Sequence, residues 1–82
     1  MERQYTIILD PNPDEGIYTV TVPALPGCIT EGATPEECIA NAREAIALWI
    51  ADAVDHGEPI PEETLSPQVI KLSVSIQVGV AA

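Results

Sequence analysis

The residues able to do chemistry are few and spread along the chain. Carboxylates are the commonest. Phosphodiester cleavage by two metal ions needs several of them converging, so that both the attacking and the leaving oxygen are held. Asp10, at the end of the first strand-like stretch, and Glu31, on a short third one, are the candidates. The last strand-like stretch, Val69 to Val78, contributes no acid, and Glu36 and Glu37 are accounted for by a helix start. Asp10 and Glu31 therefore read as solvated edge or turn residues. A thiol nucleophile would need a histidine base. His56 is the one histidine, and Cys38 precedes it by 18 residues on the same helical stretch, about 27 Å at 1.5 Å per residue. Cys28, Cys38 and His56 are also too scattered for a metal set, and Gly27 and Gly32 do not form a phosphate-cradling loop. No catalytic residue, metal or cofactor is expected.

Charge is the stronger signal. Thirteen acids oppose three bases, a formal net charge of −10. Such a surface repels nucleic-acid phosphates and anionic membranes, and attracts a basic protein. Nine of the acids fall between Glu31 and Glu63, on a helix and its flanks. Glu36, Glu37, Glu44, Asp52 and Asp55 are the candidate partner-binding residues. The plainer alternative is a solvated helix face that keeps the protein soluble. The two cysteines read as reduced, buried side chains rather than a disulfide. No signal-peptide pattern opens the chain and no apolar run reaches 18 residues, so a cytoplasmic location is expected.

The elements that must position these residues follow from periodicity. Arg3 to Asp10 alternates, with Tyr5, Ile7 and Leu9 on one side, and Gly16 to Val22 alternates again, with Tyr18, Val20 and Val22 together. The six turn-forming residues Pro11–Gly16 between them predict an antiparallel hairpin. Pro23, Pro26 and Gly27 end the second strand, and Cys28–Glu31 is a brief third one that Gly32 breaks. Thr34-Pro35-Glu36-Glu37 is a helix opening: a capping threonine, proline at the first helical position, and glutamate three residues after the cap. Cys38, Ile39, Ala42, Ala45, Ile46, Trp49, Ile50 and Ala53 then recur at spacings of three and four, predicting a helix from Pro35 to about Asp55, stopped by Gly57 and Pro59. After a proline-punctuated loop, Leu72, Val74, Ile76 and Val78 alternate with polar residues, which predicts a long last strand; the small-residue stretch from Gly79 to Ala82 is expected to fray. The expectation is a single domain over residues 1–82 of α+β class: a two-layer β-β-β-α-β arrangement, with an antiparallel three-stranded sheet, one helix on one face and a final C-terminal strand. Eighty-two residues make a small core, and an exposed strand edge templates pairing with another copy. A homo-oligomer, dimer or tetramer, is expected.

The run Pro23-Ala-Leu-Pro-Gly-Cys-Ile-Thr-Glu-Gly-Ala-Thr34, the helix segment Ala40-Asn-Ala-Arg-Glu-Ala-Ile46 and Gly57-Glu-Pro-Ile-Pro61, in that order, resemble the HicB-type antitoxin family. The resemblance covers roughly Tyr5 to Pro61. It implies a partial ribonuclease-H-like fold, no catalysis, and a role in binding and neutralising a small, basic, mRNA-cleaving toxin of a type II toxin–antitoxin pair. Many family members carry a further C-terminal DNA-binding module. Only about 20 residues follow Pro61 here and no helix pair can be read in them, so direct nucleic-acid binding is not expected. A stand-alone oligomeric module of the same fold, with no toxin partner, is the alternative.

Overall fold

A computed structural model describes residues 2–79. Strand β1 (Ile8–Asn12), β2 (Ile17–Thr21) and β3 (Ile29–Gly32) form one antiparallel sheet in the order β1-β2-β3, followed by helix α1 (Pro35–Asp55). Ile8 faces Thr21 and Asn12 faces Ile17 in the first pairing; Tyr18 faces Gly32 and Thr21 faces Ile29 in the second. The architecture is α+β, a three-stranded sheet with one helix, as expected.

The first strand differs from the expected Arg3–Asp10 range. Its ladder is displaced towards the turn and takes in Pro11 and Asn12. The Asn12 carbonyl accepts from the Glu15 and Gly16 amides, at 3.2 and 2.9 Å, so the connection closes in four residues rather than six. Pro11 is tolerated because β1 is an edge strand. At the other end β2 leaves the ladder early. The Val22 amide donates to the Cys28 carbonyl at 3.1 Å, and residues 3–7 run on without a β2 partner.

The turn between β2 and β3 is part of the core. Leu25 N–H donates to Val22 O and Cys28 N–H to Leu25 O, both at 3.0 Å. This folds Leu25 inward until it is 1% exposed. It packs with Val22 and Cys28 against Tyr5, Ile7, Ala45, Ile46 and Trp49. A second cluster joins Val20, Cys38 and Ala42 to Ile7, Leu9 and Tyr18. The inward alternation predicted for both strands is realised, and both cysteines are buried and unpaired.

Helix α1 has the predicted bounds. Thr34 is extended and its Oγ1 accepts from the Glu37 amide at 3.1 Å. At the far end Gly57 takes φ +68°, with Gly57 N–H to Val54 O and Glu58 N–H to Ala53 O at 3.0 and 2.8 Å, a Schellman closure. The helix packs chiefly across β3, and less across β2. Gly32 makes this possible. A Cβ there would lie 2.8 Å from the Cys38 amide nitrogen and 2.9 Å from its Sγ. Gly32 is the last paired residue of β3, and its missing side chain admits the first turn of the helix.

Because α1 sits over β3, the β1 side of the layer stays uncovered. A groove of about 920 Å³ lies between α1 and the segment leading into β1, with Tyr5, Ile7, Ile39, Ala42, Ile46 and Ile50 among its walls. Beyond the helix the chain returns as a strap beside residues 3–6. Tyr5 OH donates to Pro61 O at 2.6 Å. The Thr6 amide and hydroxyl donate to the two Glu63 oxygens at 2.6 and 2.7 Å, Ser66 Oγ donates to Glu63 Oε2 at 2.6 Å, and Arg3 pairs with Glu62 at 3.2 Å.

The last strand does not form in this chain alone. Residues 67–79 are an arm without a ladder. Val69, Ile70, Leu72, Val74, Ile76 and Val78 are 69–91% exposed. Alternation supplies the strand pattern, but a strand also needs a hydrogen-bonding neighbour, and none of the described residues provides one. Of the expected fraying tail, Val80 to Ala82 lie outside the described residues.

Two outcomes test this layout. Gly32→Ala should destabilise the protein by about 1–3 kcal/mol, the usual range for overpacking, read as a lower urea midpoint at unchanged slope. The three hydrogen bonds on Glu63, first from the Ser66 hydroxyl and then from the Thr6 hydroxyl and amide, hold its carboxyl below the ordinary glutamate range. Its stabilisation should be complete above that ordinary range and vanish as pH falls through the lower folded-state value. Glu63→Gln should therefore lower the urea midpoint at pH 7 and reduce the loss of stability on acidification.

Candidate partner-binding face

The helix presents three faces, fixed by how it is fastened. Asn41 Nδ2 donates to Glu31 O on β3 at 2.7 Å, and Trp49 Nε1 donates to Pro26 O at 2.9 Å. These two bonds, two turns apart, set its rotation. Cys38, Ala42 and Ala53 are fully inward. Ile39, 44% exposed, and Ile50 look towards the groove, so the predicted apolar stripe is wider than the core it covers.

The third face carries the acids. At about 100° per residue, Glu37, Asn41, Glu44, Leu48, Asp52 and Asp55 follow each other at steps of three or four and line one stripe. All four of its carboxylates are exposed. Among the described residues no base pairs with Glu37, Glu44 or Asp55. Of the five expected site residues, four thus come together. Glu36 lies about 100° round the helix from Glu37 and serves the cap end, where a negative charge suits the dipole.

Leu48 is the residue the sequence reading missed. It is 67% exposed in the middle of the acidic stripe. Its signal was its position: an apolar residue four from Glu44 and four from Asp52, off the apolar stripe. Asp52 and Asp55 are unfavourably placed in the last helical turn, which holds no Lys or Arg. His56 offsets this in part. Its Nδ1 lies 2.8 Å from Asp52 O and 3.5 Å from Asp52 Oδ1. The bond to that carbonyl, then the Asp52 charge, and less so Glu58, raise the imidazole above its ordinary value against a small desolvation effect.

The remaining candidates are not assembled into a reactive site. Burial pushes both thiols up, Cys38 further by the Glu37 carboxylate, so they are protonated at neutral pH. Cys38 and His56 sit at opposite ends of α1. Asp10 and Glu31 both face Thr19, from opposite sides, which separates their strands by about 9.5 Å. Among the described residues no three or more His, Cys, Asp or Glu could hold a metal ion, and no helix is long and apolar enough to cross a membrane.

Of the four carboxylates around exposed Leu48, Asp52 has the His56 imidazole beside it, and Glu37, Glu44 and Asp55 have no basic partner among the described residues. The family model described as the HicB-like antitoxin of bacterial toxin–antitoxin systems matches residues 5–74. A UPF0150 protein of Thermoplasma acidophilum is 45% identical over 60 residues, covering 73% of this chain and 86% of the relative. A UPF0150 protein of Synechocystis is 37% identical over 70 residues, 85% of this chain and 87% of the relative. An uncharacterized 14.9 kDa protein of Haemophilus phage HP1 is 38% identical over 53 residues, 65% of this chain but 40% of the phage protein. No solved structure matches the chain. With the family model spanning the sheet, the acidic helix and the strap, the chain belongs to the HicB-like antitoxin family.

Proposed function

We propose that this protein is an antitoxin that binds and neutralises a small, basic, mRNA-cleaving toxin, and that the α1 stripe is the surface that holds it. The observation that carries the reading is the family match over residues 5–74. The stripe supports it physically. Glu37, Glu44, Asp52 and Asp55 present negative charge at helical spacing, as an RNA backbone presents it to a nuclease, so a basic RNA-binding surface is a natural complement. Leu48 adds an apolar anchor at its centre, where interface energy concentrates. Nothing in this role requires catalysis by the antitoxin; it acts by occupancy. The protein works as one domain over residues 1–82, in the cytoplasm, without touching nucleic acid directly at a net charge of −10. The arm supplies the strand that would complete a partial ribonuclease-H-like β-β-β-α-β order.

A second reading is a stand-alone oligomeric module with no toxin. The exposed arm favours it, because those side chains call for a partner whether or not a toxin exists.

Titration calorimetry with the basic protein encoded beside this chain's gene separates the two. A complex at low salt that weakens as salt rises is expected. Glu44→Lys and Leu48→Ala should each weaken it roughly tenfold or more, about 1.4 kcal/mol, while Glu15→Lys, in the β1–β2 turn, should leave it unchanged. Absence of heat at low salt, or equal effects of all three substitutions, would refute the stripe as the toxin surface.

A further inference from the structure

The arm and the groove carry a conclusion that needs no toxin. Six large apolar side chains on residues 69–78 stand 69–91% exposed. The same molecule has an apolar groove of about 920 Å³ between α1 and residues 3–7, the segment that leads into β1, and β1 is an edge of its sheet. Each feature is what the other lacks. The arm needs a strand edge and an apolar bed, and the groove needs an apolar strand.

The arm does not reach its own groove. The strap is fixed to residues 3–6 through Pro61, Glu62 and Glu63, and Ser66 holds Glu63. Beyond that point the chain leaves the body. The Cα extents are 68 × 30 × 19 Å. The 21-residue helix accounts for about 30 Å at 1.5 Å per residue. An extended arm of 13 residues, 67–79, adds about 40 Å at 3.3 Å per residue. The long dimension is thus body plus outstretched arm. Charge agrees with docking on a second copy: the arm holds one base, Lys71, and no acid, in a chain whose net charge is −10.

We propose that the protein is a strand-exchanged dimer, in which the arm of each copy lies along the β1 edge of the other and fills its groove. Leu72, Val74, Ile76 and Val78 enter the groove beside Ile7, Ile39, Ile46 and Ile50. Lys71, Ser73, Ser75 and Gln77 stay outward. The exchange extends each sheet to four strands and is isologous, so it closes at two copies.

Light scattering on the full chain at micromolar concentration should give twice the 8.7 kDa chain mass. Val74→Asp with Ile76→Asp should halve it while the helix signal in circular dichroism persists, because both side chains project from the body. Mixing A47C chains, whose thiol lies in the groove wall, with V74C chains should yield a mixed disulfide between copies on mild oxidation. A wild-type mass of 8.7 kDa overturns the proposal, and so does a dimer that the two aspartates leave intact. Closure of the A47C/V74C double variant within one chain overturns it in favour of an arm folded onto its own body. V74C–V74C disulfides without any to position 47 overturn it in favour of arms paired with each other.

Discussion

The close approach of β3 to the first turn of α1 governs the rest of the molecule. Gly32 has no Cβ, and Cys38 takes the space that one would fill. With the helix start pressed against the end of β3, and Asn41 and Trp49 tied to backbone oxygens at Glu31 and Pro26, α1 has one position and one rotation. Everything functional follows from those two quantities. The rotation turns Glu37, Glu44, Leu48, Asp52 and Asp55 outward. The position leaves the β1 side of the layer without cover.

A chain without phenylalanine closes such a layer poorly. Among the described residues, Val20, Val22, Leu25, Cys28, Cys38, Ala42 and Ala53 are the buried hydrophobic side chains. Leu25 matters most among them, because it comes from the turn between strands and plugs the end of the sheet where β2 leaves its ladder. What this small core does not cover is left to the strap and the arm. The strap is polar and fastened by the Glu63 carboxylate; the arm is apolar and has no strand neighbour among the described residues. In the proposed strand exchange, covering the arm and filling the groove are one event.

The acidic stripe carries an electrostatic cost that the fold itself does little to relieve. Two of its carboxylates stand at the helix C-terminus, against the dipole, with only His56 nearby. Charge repulsion of this kind is tolerated on a solvated face and relieved by a basic partner. Burial first, and the stripe's Glu37 carboxylate second, raise the Cys38 thiol above its ordinary value.

Much of this was legible in the residues themselves. Thr34, Pro35 and Glu37 determined where α1 begins and Gly57 where it stops, because capping chemistry is local. Alternation at Tyr18, Val20 and Val22 determined which side of β2 faces inward, because strand geometry is local too. The run from Pro23 to Thr34, followed in order by Ala40–Ile46 and Gly57–Pro61, pointed to the family. The sequence read Gly32 only as a strand breaker, whereas its role is the contact with Cys38, which no local rule contains. β1 was placed too early because its extent depends on where β2 stops pairing. Four of the five expected acids share a stripe by helical spacing alone. That the stripe faces solvent, with Leu48 at its centre, depends on which side the sheet takes. The last strand marks the boundary most clearly. Residues 69–78 determine a strand pattern by themselves, but a ladder is made by two segments, and only the tertiary structure decided that the second one is not among the described residues.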